Sequence, residues 1–167
     1  MTPIRFGRLV KILGIVMKPG RRTLQFQSLD DIMPDVERLI GHNETVGEWS
    51  LAQICHHLAT VMRRVVDLPA STPQDPSQWV GEERKREVFE RGSIPEGLPA
   101  PPEIIPTGSF DEREEAEGLR RAIAHYKASA GPVIPHRLFG FLTKAEWDRL
   151  QCVHAAHHLS FARPKPE

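Results

Sequence analysis

Cysteine is scarce in this chain: Cys55 and Cys152 are the only two in 167 residues. Two thiols cannot build the disulfide framework of a small secreted domain, and their scarcity suits a reducing compartment, so a cytoplasmic location is the expectation. An excess of either charge is also missing, since lysine plus arginine and aspartate plus glutamate both total 22. A neutral chain offers no electrostatic reason to expect nucleic acid as a partner, and a small molecule is expected instead. No apolar run reaches the roughly 20 residues that a membrane-spanning helix needs. The basic, apolar N-terminal stretch MTPIRFGRLVKILGIVMKPGRR is interrupted by Lys11 and lacks a small-residue cleavage site, so it is not read as a signal peptide. It is expected to be peripheral to the fold and is assigned no function. Strand-like alternation of useful length is absent, and so is any internal repeat.

What is present is ordinary for a globular protein: 40% hydrophobic and 26% charged residues, in a length that suits one domain with a self-sufficient core. Apolar residues recur at helical spacing in four places. Leu29, Ile32, Met33, Val36, Leu39 and Ile40 predict a first helix over 29–42, with Pro34 marking either a kink or the true start. Leu51, Ile54, Leu58, Val61, Met62 and Val65 predict a second over 50–67, opened by Ser50 and Gln53 at capping-box spacing. Phe110, Leu119, Ile123 and Tyr126 predict a third over 110–129, with Ser109 and Glu112 in the same spacing. Trp147, Leu150, Val153 and Phe161, behind Thr143 and Glu146, predict a fourth over 144–161. Residues 67–108 hold most of the prolines, including PEGLPAPPEIIP, and read as a long excursion with at most a short helix in GEERKREVFERG. Such a connection is either a lid over a pocket or a loop contacting nothing near it, with Trp79 as its best apolar anchor.

The chemistry-bearing residues are histidines. With a rotation of about 100° per residue and Ile54 as zero, the second helix's apolar stripe centres near 10°. His57 then falls at about 300°, on the stripe's shoulder, and His56 at about 200°, facing away. In LQCVHAAHHLSFA, His154 and His158 stand four residues apart, which puts both imidazoles on one face. Measured from Trp147 they lie near 340° and 20°, on the buried side; His157, near 280°, also reaches that face and rivals either. A lone histidine on an apolar face is more often a hydrogen-bonded core residue than a ligand. Several converging imidazoles are different, because a divalent cation satisfies nitrogens that burial would otherwise strand. Cys55 and Cys152 each precede a candidate histidine by two residues, a rotation of about 200°, and are read as core or boundary residues.

GEWSLAQICHHLA, with Trp49 eight residues before His57, resembles the second helix of DinB-like proteins. The closing segment FGFLTKAEWDRLQCVHAAHHL resembles one branch of that superfamily, a domain of unknown function ending in a glycine, a tryptophan-led helix and a histidine cluster. The similarity spans residues 21–161. It implies an all-α four-helix bundle, with a long proline-rich connection between the second and third main helices. It also implies a nickel, zinc or similar divalent ion held by one histidine of the second helix and an H-x-x-x-H pair of the last, which by position are His57, His154 and His158. Some DinB-like members are thiol-dependent transferases or isomerases, which implies a low-molecular-weight thiol activated by the metal. Where some relatives place a glutamine soon after the histidines, this sequence has Ser160 and Phe161.

Two classes of function follow. In a metalloenzyme, three histidines leave coordination positions open and the ion lowers the pKa of a bound thiol or water, giving a transferase or hydrolase. In a non-catalytic binding module, the ion ties two helices together and a fourth ligand, for which His157 is the candidate, closes the shell. No glycine-rich phosphate loop and no Ser/His/acid arrangement is legible, and no general base is named. No membrane span is expected, and a homodimer is compatible with either class.

Overall fold

The computed structural model describes residues 20–95 and 97–166, together with the backbone of 11–12 and 15–16. The first of these form a two-residue antiparallel pair, β1 (Lys11–Ile12) and β2 (Ile15–Val16); the rest of the N-terminal stretch read from the sequence lies outside the described residues. The described chain is mostly helical: α1 (Ile32–Leu39), α2 (Leu51–Asp67), α3 (Glu82–Arg91), α4 (Glu112–Ala128) and α5 (Lys144–Leu159). A further short sheet pairs β3 (Asn43–Thr45) with β4 (Ala162–Pro164), antiparallel. Neither pair was legible in the sequence, because two or three residues are too few for an alternation to register.

One hydrophobic core draws on α1, α2, α4 and α5, with Val36, Leu58, Leu119 and Leu159 fully buried in it. The expected stripes of α1 and α2 supply their share. Pro34 is the third residue of α1, in the first turn, where the helix needs no backbone donor from it; the helix starts just before the proline, without an interior break. Leu29–Asp31 form a separate 3-10 turn ahead of it, in which the Asp31 carboxylate accepts from the backbone N–H groups of Gln27 and Ser28.

The capping boxes expected at α2 and α5 are formed. Ser50 Oγ accepts from Gln53 N–H while Gln53 Oε1 accepts from Ser50 N–H, and Thr143 and Glu146 do the same. At α4 the expectation fails: Asp111, not Ser109, is the cap, its Oδ1 accepting from the N–H groups of Arg113 and Glu114 at 2.9 Å each. Glu112 reaches away from the helix instead, accepting from Gly41 N–H and Asn43 Nδ2, so it holds the loop after α1. A carboxylate next to the first turn also meets the helix dipole favourably, an advantage Ser109 lacks.

The start of the described chain straps the end of α5. Arg22 N–H donates to the Ser160 carbonyl, and its guanidinium donates to both carboxylate oxygens of Asp35 (2.9 and 2.7 Å) and to the Leu159 carbonyl. Burial pushes the Asp35 carboxyl up, but Arg22 and Arg38 outweigh it and hold the group below its ordinary range.

The excursion is pinned at several points. Val80 N–H donates to the Leu138 carbonyl, Arg137 to the Pro99 carbonyl and Gln53 to the Gly108 carbonyl. Trp79 anchors it on the 136–141 turn, lying so close to Gly140 (φ +65°) that a Cβ there would stand 2.9 Å from the indole. The charged segment does form a helix, α3, with no buried residue.

Replacing Asp111 by alanine should cost about 1 kcal/mol in urea denaturation, whereas Ser109→Ala should stay within about 0.5 kcal/mol of the parent. The opposite ranking would mean that α4 starts two residues earlier.

Candidate metal centre

His57 sits in the second turn of α2 and His154 and His158 in the last turns of α5, so two helices and the packing between them set the site. Nε2 of His154 lies 3.1 Å from Nε2 of His57 and 3.1 Å from Nε2 of His158. One ligand atom from each of the three falls within 4.8 Å of the others, a group that could hold a metal ion. The rings meet edge to face, with centroids 4.5–5.0 Å apart.

Protonation follows from the neighbours. His57 Nδ1 lies 2.7 Å from the Ile104 carbonyl, which can only accept, so Nδ1 carries the proton and Nε2 presents a lone pair to His154. Neutral His154 can donate through Nε2 to one neighbour only, leaving the other contact without a proton to share. A cation resolves this. Two imidazole nitrogens bound at about 2.0–2.1 Å to one ion stand roughly 3.0–3.4 Å apart, which brackets both 3.1 Å contacts.

The surroundings favour neutral rings. Burial lowers the pKa of His57, more than the Ile104 hydrogen bond raises it. For His154 and His158 burial is again the leading cause, followed by repulsion from the neighbouring histidines, and both lie well below the ordinary value. Trp49 stacks on His158 (5.3 Å, 13°) and leans on His57 (4.9 Å, 50°), restricting both rings.

His157, the rival, is outside the cluster: its Nδ1 lies 3.0 Å from Arg21 Nη2 and 3.1 Å from the Ile94 carbonyl. His56 faces away, its Nδ1 3.1 Å from Glu115 and its ring stacked on Phe110. Cys55 and Cys152 belong to the hydrophobic core, where burial pushes their thiols up to about 12 and about 11.

The three histidines open on a cavity of about 670 Å³ walled mostly by apolar side chains. The excursion supplies much of that wall, including Leu68, Val88, Ile94, Leu98, Ile104 and Ile105. Trp79 takes no part in the lining; it fastens the excursion from outside. Sequence reasoning missed His136, a lone histidine in a loop with no periodicity to orient it. It lines the cavity, accepts at Nδ1 from the N–H groups of Leu138 and Phe139, and is pushed down to about 4 by burial and then by Arg137.

Four histidines with lowered pKa values make a stability prediction. Below about 6.5 the unfolded chain binds protons at these positions that the folded chain refuses, so stability is lost as pH falls. For His136 the loss accumulates from about 6.5 down to about 4 and then levels off. Chelator-treated protein should therefore lose stability between pH 7 and pH 5 in chemical denaturation, with His136 alone contributing about 2 kcal/mol. A flat profile would show that these rings are protonated within the fold.

Residues 18–165 match the family described as protein of unknown function (DUF1569). No curated protein and no solved structure matches. With nearly its whole length matched, the chain belongs to the DUF1569 family.

Proposed function

We propose that this protein is a metal-dependent enzyme of the DinB-like type, acting on a small molecule, in which His57, His154 and His158 hold one divalent transition ion, nickel or zinc. The observation that carries the reading is the convergence of three Nε2 atoms with the His57 tautomer fixed by Ile104. On this reading the packing of α1, α2, α4 and α5 around one core is the family's four-helix bundle, and the chain is one domain.

When bound, the ion would lower the pKa of a thiol or water at an open coordination position. The chain's own residues do the rest. Ile104 orients His57 and makes its Nε2 lone pair more basic, and Trp49 holds His158 in place. Apolar walls keep bulk water away from the reacting groups. Neither cysteine can serve as the nucleophile, since both thiols are buried and remain protonated near neutral pH. A thiol, if used, comes from solution. The non-catalytic module has less support, because His157, which would close its shell, lies beside Arg21 and Ile94 and not among the three ligand atoms.

Elemental analysis of tag-free protein, purified or reconstituted, should give one ion per chain. His57→Ala, His154→Ala and His158→Ala should each abolish it, while His56→Ala and His157→Ala retain it. Because burial lowers these pKa values, retention should persist below the ordinary imidazole value of about 6.5 and fail only at lower pH. Absence of metal from both preparations ends the reading. Metal-loaded protein incubated with a panel of cellular thiols and electrophiles should consume one pair; a loaded site inert to every pair would favour the binding module.

A further inference from the structure

Beyond the histidines, α5 carries two buried polar atoms for which the described structure holds no partner: Trp147 Nε1, a donor, and Gln151 Oε1, an acceptor. Both residues line the cavity, and both are about 2% exposed. They stand four residues apart, so they share the face that carries His154 and His158. At a rise of about 1.5 Å per residue, Gln151 lies roughly 4.5 Å and Trp147 roughly 10 Å along the helix from His154. His136 packs edge-on against Trp147 (5.5 Å, 71°), and since its Nδ1 accepts from two backbone groups, its proton is on Nε2. An orphaned donor or acceptor in an apolar wall costs about 1–3 kcal/mol, and these two belong to residues one helical turn apart.

From this arrangement we infer that Trp147 and Gln151 form a recognition subsite for an uncharged carboxamide group on the ligand, placing the rest of a small apolar molecule against the histidine cluster. A carboxamide N–H satisfies Gln151 Oε1, and its carbonyl accepts from Gln151 Nε2 and from Trp147 Nε1, so one group answers both orphans. A carboxylate cannot, because it has no proton to give and leaves Gln151 Oε1 unanswered. A hydrocarbon leaves both atoms unpaired. Calling this molecule the substrate rests on the metalloenzyme reading; the subsite itself does not.

Benzamide, benzoate and toluene share a ring and differ only in the group concerned, so they are the probes. The chain has three tryptophans, and Trp147→Phe identifies the Trp147 indole N–H resonance. On the full-length protein, with zinc and separately with chelator, benzamide should shift that resonance saturably, at least fivefold more tightly than toluene in both and than benzoate with chelator, where no ion can take up the carboxylate. Gln151→Leu should weaken benzamide about tenfold and leave toluene unchanged, which also shows the cavity intact. Should that variant not fold, the contrast between benzamide and toluene on the parent protein decides. Toluene binding as tightly as benzamide, or no benzamide shift at Trp147, overturns the subsite. Zinc uptake without the benzamide contrast sinks the subsite alone; the contrast without zinc uptake sinks the metal reading alone.

Discussion

A single hydrogen bond, from His57 Nδ1–H to the Ile104 carbonyl at 2.7 Å, joins the two halves of this molecule's chemistry. On one side it selects the tautomer that aims a lone pair at His154. On the other it pins the 3-10 turn Pro102–Ile104, and with it the far end of the proline-rich excursion, over the histidines. Break it, and the ring is free to present a proton where a ligand needs a lone pair, while the cavity loses a fixed wall. The salt bridge between Arg64 and Glu103 sits beside it but is largely exposed, and exposed pairs contribute little. The buried bond to the backbone is the constraint that matters.

The other end of the site is held by charge. Arg22 fixes the C-terminal end of α5 through Leu159 and Ser160, and Asp35 keeps that guanidinium in place. Arg21 adds contacts to Ser160 and His157 and covers the Phe161 ring at 4.2 Å. These cations lie at a helix C-terminus, where the dipole is negative. The same field would favour a positively charged His158, yet burial and the neighbouring histidines keep it neutral. Neutral imidazole is the form that binds metal.

The cavity differs from the core in what it tolerates. Tyr126, fully buried, has its hydroxyl satisfied by Asp148 at 2.8 Å. Trp147 and Gln151, equally hidden, are not satisfied. Among the described residues four buried side-chain polar atoms lack a partner, on Arg22, Trp79, Trp147 and Gln151, and the last two belong to neighbouring residues of one helix that line the cavity.

Much was legible in the residues. The apolar stripes placed α1, α2, α4 and α5 to within a few residues, because a helical period repeated over several turns is a strong local signal. The same arithmetic turned His56 outward, and the four-residue spacing paired His154 with His158. It could not separate His157 from its neighbours, since that choice depends on Arg21 and Ile94, which are 136 and 63 residues away along the chain. The cap of α4 was misplaced for a similar reason: Ser109 and Asp111 both suit the role locally, and Glu112's engagement with Gly41 and Asn43 favours the latter. His136, the Ile104 carbonyl and the cavity were out of reach altogether, because loops carry no periodicity and a backbone carbonyl has no sequence identity. Local order along one helix is written in the spacing of its own residues; the meeting of two helices and a loop around three nitrogens exists only once the chain has packed.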